Sequence, residues 1–301
     1  MSGTSSNVTG GLTLVMPPTD ATVFALIVHK GQDGAVSSVL VDGGCQRADD
    51  VVAAKELLKS ILAEHSVSAP DHIVVTTPAA CHSNLLPTLL PAHGPKVRYA
   101  GSFMAYPDPV REWFHTVEAT GFPRMHSDLA NPMAMMGAAR VYVVVANGAN
   151  SASTVDHRSN AAIVLVTSEA QGVLLLGDAS GTAASHFVAR MKARPRDPAA
   201  VSVTSPGALL VHGHPTAGAL TAWPWAPHSE FMRQAQYLPL GEDMEDEGEG
   251  GDQLTGPGSF SADPHDSRIL LLSTPVTGGD PRGVQVTVDH GSSSITLTTV
   301  G

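Results

Sequence analysis

Polar residues that could do chemistry sit directly after short apolar runs at four places. Asp42 follows Val39-Leu40-Val41, and Thr77 to His82 follows Ile73 to Thr76. Asp178 follows Leu174-Leu175-Leu176-Gly177, while His212 and His214 follow Leu209-Leu210-Val211. Strand ends are where sandwich and α/β proteins place their sites, because the strands hold the backbone rigid while the loops beyond are free to carry function. Several familiar chemistries are absent. There is no Gly-rich phosphate loop ending in Lys-Ser/Thr, no dinucleotide Gly fingerprint and no His-Glu-x-x-His. There is also no Gly-x-Ser-x-Gly elbow. Ser, His and Asp are plentiful, but no spacing selects a triad.

The elements that must position these residues read as mostly strands. Val23 to Val28 is apolar and β-rich, and Val36 to Val41 follows it and stops at a turn, Asp42-Gly43-Gly44. Asp49 or Asp50 can cap a helix in which Val51, Ala54, Leu58, Ile61 and Leu62 recur at helical spacing. Ile73 to Thr76 is a short buried strand, and Asn84 can cap a short helix through Leu89-Leu90. Val97 to Tyr99 reads as a strand, Arg111 to Val117 as a helix, and Val141 to Val145 as a strand. The rest of 91–135 carries no clear pattern. Ala161 to Val166 and Val173 to Leu176 form a hairpin around Glu169 to Gly172. Thr182 to Met191 reads as a helix and Leu209 to Val211 as a strand. Ile269 to Leu272, Val284 to Val288 and Ile295 to Leu297 read as closing strands. Two sheets with helices outside fit this order. Residues 1–11, rich in Ser, Thr and Gly, read as a disordered tail ahead of one domain over 12–301.

Composition bounds the function. The chain has 301 residues, with 17 Lys+Arg against 28 Asp+Glu, a formal net charge of −11 and two cysteines. Two cysteines exclude a disulfide scaffold and a four-cysteine zinc site. The acidic balance argues against broad electrostatic capture of nucleic acid. Seven acidic residues and no basic one lie between Glu242 and Asp252. Most of the negative excess therefore belongs to one Gly/Pro-rich stretch, about 241–264, read as a solvated loop insertion. With no signal-like leader and no apolar run of membrane-spanning length, the expected setting is cytoplasmic, away from membranes.

Four segments taken in order resemble the metallo-β-lactamase-fold superfamily, and more closely the hydrolase-like domain of DNA-uptake competence proteins. VLVDGG (39–44) resembles the second hairpin and turn of the family. DHIVVTTPAACHSNLLPTLL (71–90) resembles its strand, metal loop and helix, usually written Thr-His-x-His-x-Asp-His before a Leu-rich helix. SNAAIVLVTSEAQGVLLLGDAS (159–180) resembles the hairpin ending in Gly-Asp-Ala, and ALLVHGHPTAG (208–218) the strand ending in a histidine pair. The resemblance implies an α/β (α+β) fold, a four-layer αββα sandwich.

It also implies which residues would hold metal. Thr77 and Ala79 stand where the family has the two leading histidines of its first zinc site, and a hydroxyl and a methyl cannot replace them. His157 is more naturally a loop histidine than a replacement. The second site maps onto Cys81, His82, Asp178 and His212 or His214, a donor set of thiolate, imidazole and carboxylate that suits one zinc ion. Each has an ordinary alternative. Cys81 can fill a degenerate loop, His82 can hydrogen-bond within it, Asp178 can cap a helix, and one of His212 and His214 can be a surface histidine. Asp42 reads as turn chemistry. Met133, Met135 and Met136 read as core, and Trp223-Pro-Trp225 as a loop clamp.

Two functions follow from the resemblance. One is a non-catalytic family member, with no metal, acting by binding a protein or small-molecule partner. The other is a mononuclear zinc hydrolase of an ester, amide or phosphodiester at the second site.

Overall fold

The computed structural model describes residues 11–16, 22–45, 47–90, 94–124, 126, 128, 131–137, 139–148, 157, 160–168 and 171–175. Beyond these it describes the backbone of strands at 208–212, 259–262, 269–273, 283–289 and 294–300. Strands β1 (Gly11–Met16), β2 (Thr22–Lys30) and β3 (Val36–Cys45) lead into helix α1 (Val51–Glu64) and β4 (His72–Val75). Helix α2 (Leu86–Leu89), β5 (Lys96–Tyr99), α3 (Asp108–Phe114) and β6 (Glu118–Gly121) follow. Next come β7 (Ala134–Met136), β8 (Ala139–Val145), β9 (Ile163–Ser168) and β10 (Gln171–Leu175). The remaining strands are β11 (Ala208–His212), β12 (Ser259–Ala262), β13 (Ile269–Ser273), β14 (Gly283–Asp289) and β15 (Ser294–Val300).

These strands form two sheets. The first has the order β15-β14-β1-β2-β3-β4-β5-β6, and the second β12-β13-β11-β10-β9-β8-β7. In the first, β3 to β6 run parallel. Parallel neighbours need a crossover, and α1, α2 and α3 lie in the three crossovers.

Alternation along each strand splits the core into two layers. Ala25 and Ile27 of β2, Val39 and Val41 of β3, and Val74 of β4 face Val141 and Val143 of β8 and Val164 and Val166 of β9. Phe24, Leu26 and Val28, Leu40, and Ile73 and Val75, of the opposite parity, pack with Leu58, Ile61 and Leu62 of α1 and Val110, Trp113 and Phe114 of α3. A period of two on strands and 3.6 on helices thus yields helices on one sheet and a second sheet beneath it, a mixed α+β architecture. Among the described residues, no helix is long and apolar enough to cross a membrane.

Several local expectations change. The run from Val36 does not stop at Asp42: β3 continues to Cys45, because Gly44 and Cys45 pair with Val23 and Thr22 across a register shift. A strand at Gly11–Met16 was not expected. It pairs with β2 and β14, and Gly11, assigned to the tail, opens it. Asp50 occupies the N-cap position of α1 but makes no side-chain cap bond, since a 3-10 turn at Ala48–Asp50 supplies the entry. Helix α3 spans Asp108–Phe114, earlier than Arg111 to Val117, with Pro109 in its first turn. Ser259–Ala262, inside the stretch read as an acidic loop, forms β12 by pairing with β13. Of the methionines, Met136 is buried and Met133 packs on the same core, whereas Met135 is exposed. The helix expected at Thr182 to Met191, the Glu242–Asp252 run and Trp223–Trp225 lie outside the described residues.

The inter-sheet layer carries stability. Ile27, fully buried there, is expected to cost about 2–5 kcal/mol when replaced by Ala. Val52→Ala, at a position 74% exposed, should stay within about 0.5 kcal/mol. Urea denaturation midpoints at constant slope check both.

Candidate functional site

The parallel pairing of β3 and β4 brings their carboxyl ends to one edge. Asp42 and Thr76 therefore meet there although 34 residues separate them. Asp42 has a left-handed backbone, φ 62°, a conformation that Asp tolerates better than most residues. Its carboxylate is buried and fully used. Oδ1 accepts the Thr76 backbone N–H at 2.7 Å, and Oδ2 accepts the Thr76 hydroxyl at 2.7 Å. Oδ2 also lies 2.8 Å from Nδ1 of His82. The Thr76 hydroxyl is 3.3 Å from the same nitrogen. With Nδ1–H donating to the carboxylate, the ring's orientation is set.

A 3-10 turn, Ala80–His82, returns the chain so that the ring reaches Asp42. Gly44 makes room for that turn. A Cβ on Gly44 would overlap the Cys81 carbonyl and stand 2.8 Å from the His82 nitrogen, and one on Gly43 would strike Leu86. Asn84 fastens the turn to β3. Its Oδ1 accepts the Cys45 N–H at 2.8 Å and its Nδ2 donates to the Cys45 carbonyl at 2.9 Å. Asn84 is thus not the cap of α2, which has Leu85 in that position.

His82 is 2% exposed. Burial pushes its pKa down, but the charge and hydrogen bond of Asp42, joined by Cys81, outweigh burial and raise it to about 10. Cys81 is half-buried on the same turn. Cys45 is buried, donates to the Arg47 carbonyl at 3.1 Å, and has its thiol pushed up chiefly by burial. Thr77 is inaccessible, and its hydroxyl has no hydrogen-bond partner, nor does that of Ser83.

The second sheet reaches the same edge. The Ala162 N–H donates to the Thr76 carbonyl at 2.8 Å. Ala162 precedes β9, and Val164 of β9 pairs with Leu175 at the end of β10, which in turn pairs with His212 at the end of β11. Asn147, at φ 55°, joins the loops around this edge. Its side-chain oxygen accepts from the Gly101 N–H at 2.6 Å, its side-chain amide donates to the Phe122 carbonyl at 2.8 Å, and its backbone N–H donates to the Asn160 carbonyl at 3.1 Å.

Of the expected ligand set, Cys81 and His82 are neighbours on one 3-10 turn, and the backbone register puts His212 opposite Leu175 at the end of β10. Asp178 and His214 lie outside the described residues, as does the side chain of His212. Among the described residues, no group of three or more His, Cys, Asp and Glu is gathered so as to hold a metal ion. His157 lies half-buried in a turn, its carbonyl accepting from Asn160. Asp42, read as turn chemistry, is instead the partner of His82, and Thr76 and Asn84 also belong to the site. The signal available in the sequence was an Asp immediately after a buried apolar strand; its partner lies 40 residues on.

In comparisons with known proteins, no family model matches the chain, and no curated protein matches it.

Two outcomes follow. Gly44→Ala is expected to lower stability by about 1–3 kcal/mol, because the turn must retreat from β3; urea unfolding measures this. The ion pair also makes stability depend on pH. His82 holds its proton more tightly folded, with a pKa of about 10, than unfolded, near the ordinary imidazole value of roughly 6.5. Its contribution is therefore complete below the unfolded value and falls away as pH rises through the folded one. Asp42→Asn should flatten that alkaline decline in Tm.

Proposed function

We propose that this chain is a degenerate member of the metallo-β-lactamase-fold superfamily, a four-layer αββα sandwich that has lost hydrolytic metal chemistry and acts by binding a protein or small-molecule partner. The observation that carries the reading is the pair of residues where the first metal would need imidazoles. Thr77 is buried with an unpartnered hydroxyl, and Ala79 carries a methyl, which offers no donor.

Support for the architecture is independent of that loop. Two mixed sheets share a core, and helices cover the first. Val144 and Leu165 have the opposite parity to Val143 and Val164, yet both are inaccessible, as a further layer on the second sheet requires. A cytoplasmic setting agrees with two cysteines that are both unpaired.

Metal analysis of the purified full chain tests the reading. Zinc and other transition metals should stand far below one per chain, and added zinc should leave Tm unchanged. A metal saturating a native site at 100 times its Kd would add about 2.7 kcal/mol. Stoichiometric zinc that disappears in Cys81→Ala would overturn the reading in favour of a mononuclear hydrolase.

A further inference from the structure

Asn147 follows β8 and ties together the loops beyond β5 and β6 and the segment ahead of β9. It is 3% exposed, and Gly148 after it is buried as well. The side-chain oxygen accepts the Gly101 N–H, and the side-chain amide donates to the carbonyls of Phe122 at 2.8 Å and Pro123 at 3.4 Å. The site therefore needs an acceptor and a donor on one short side chain, which an amide supplies and a carboxylate does not. The left-handed backbone, φ 55°, also suits asparagine. Asn147 is at the same time the only asparagine in the sequence that glycine follows. Glycine has no Cβ to shield its backbone nitrogen, so here an asparagine side chain is most open to attack by the next residue.

We propose that Asn147-Gly148 is a self-modification site whose reaction waits on opening of these loops, and that the carboxylate it produces prevents them from closing as before. This goes beyond the binding reading and does not depend on it. In the reaction the Gly148 nitrogen gives its proton to solvent base and attacks Cγ of Asn147. The N–Cγ bond forms, the Cγ–Nδ2 bond breaks, and the amide nitrogen takes up a proton and leaves as ammonia. One water then opens the five-membered imide at either carbonyl, leaving aspartate or isoaspartate. Water and the chain are the only reactants, and nothing is oxidised or reduced. In the closed arrangement the leaving nitrogen is bonded to two carbonyls. Attack turns planar Cγ tetrahedral and breaks those bonds at a position shut off from solvent, so local opening must come first. Aspartate then sets a charged oxygen against the carbonyls of Phe122 and Pro123, which have lost their donor. Isoaspartate adds a methylene to the main chain between residues 147 and 148.

Incubation of the full chain in mildly alkaline buffer, native and unfolded in guanidinium, tests the proposal. Peptide mapping that separates asparagine, aspartate and isoaspartate at position 147 gives the two rates. The native rate should be lower by about tenfold or more, and a smaller difference overturns the proposal. Asn147→Asp supplies the product directly. Its Tm should lie below that of the wild type at neutral pH. The gap should narrow in acid, where a protonated carboxyl again donates to the Phe122 carbonyl. A Tm equal to wild type at neutral pH, or a gap that acid leaves unchanged, overturns the claim that the product keeps the loops from closing. If the variant does not fold, the comparison of native and unfolded rates on the wild-type chain decides.

Discussion

The buried contact between Asp42 and His82 governs the arrangement of this edge of the molecule. A carboxylate removed from water must be compensated on both oxygens, since an uncompensated buried charge costs far more than the fold can spare. Thr76 and His82 meet that demand with bonds of 2.7 and 2.8 Å. Meeting it fixes much else: β3 must carry Asp42 in a left-handed conformation, β4 must end in register beside it, and the chain after β4 must turn back tightly enough to return an imidazole.

The tight return explains the residues around it. Gly44 is needed because β3 and the turn approach so closely that no Cβ fits between them, while a Cβ on Gly43 would strike the Leu86 side chain of α2. Asn84 stands in for a neighbouring strand by offering both an acceptor and a donor to the backbone of Cys45. The Thr76 carbonyl then serves the second sheet through Ala162. One hydrogen-bonded loop thus ties both sheets together at the edge where their carboxyl ends gather.

Electrostatics at this edge is local. A chain with a net charge of −11 still places an imidazole where its proton is held up to about pH 10, because at this depth the nearest carboxylate matters more than distant surface charge screened by salt. The same proximity separates the cysteines. One is closed off in an apolar cluster, and the other lies beside a ring already fixed in orientation.

Much of the fold was legible in the residues themselves. Strands β2, β4, β5, β8, β9, β10 and β13 and helix α1 announce themselves because burial on one or both faces imposes a period of two or 3.6 or a continuous apolar run. The short strands at Gly11–Met16 and Ser259–Ala262 did not, since their identity comes from the neighbour they pair with. In the site, a family resemblance read in the sequence marked Cys81 and His82 as candidate ligands and Thr77 and Ala79 as positions without ligand chemistry. It could not reveal that Asp42 is more than a turn residue, that Asn84 binds β3 instead of capping α2, or that Cys45 and Cys81 differ. Those properties depend on which side chains meet across 34 to 40 residues of chain, and that is decided by parallel strand register, a tertiary quantity that local sequence does not encode.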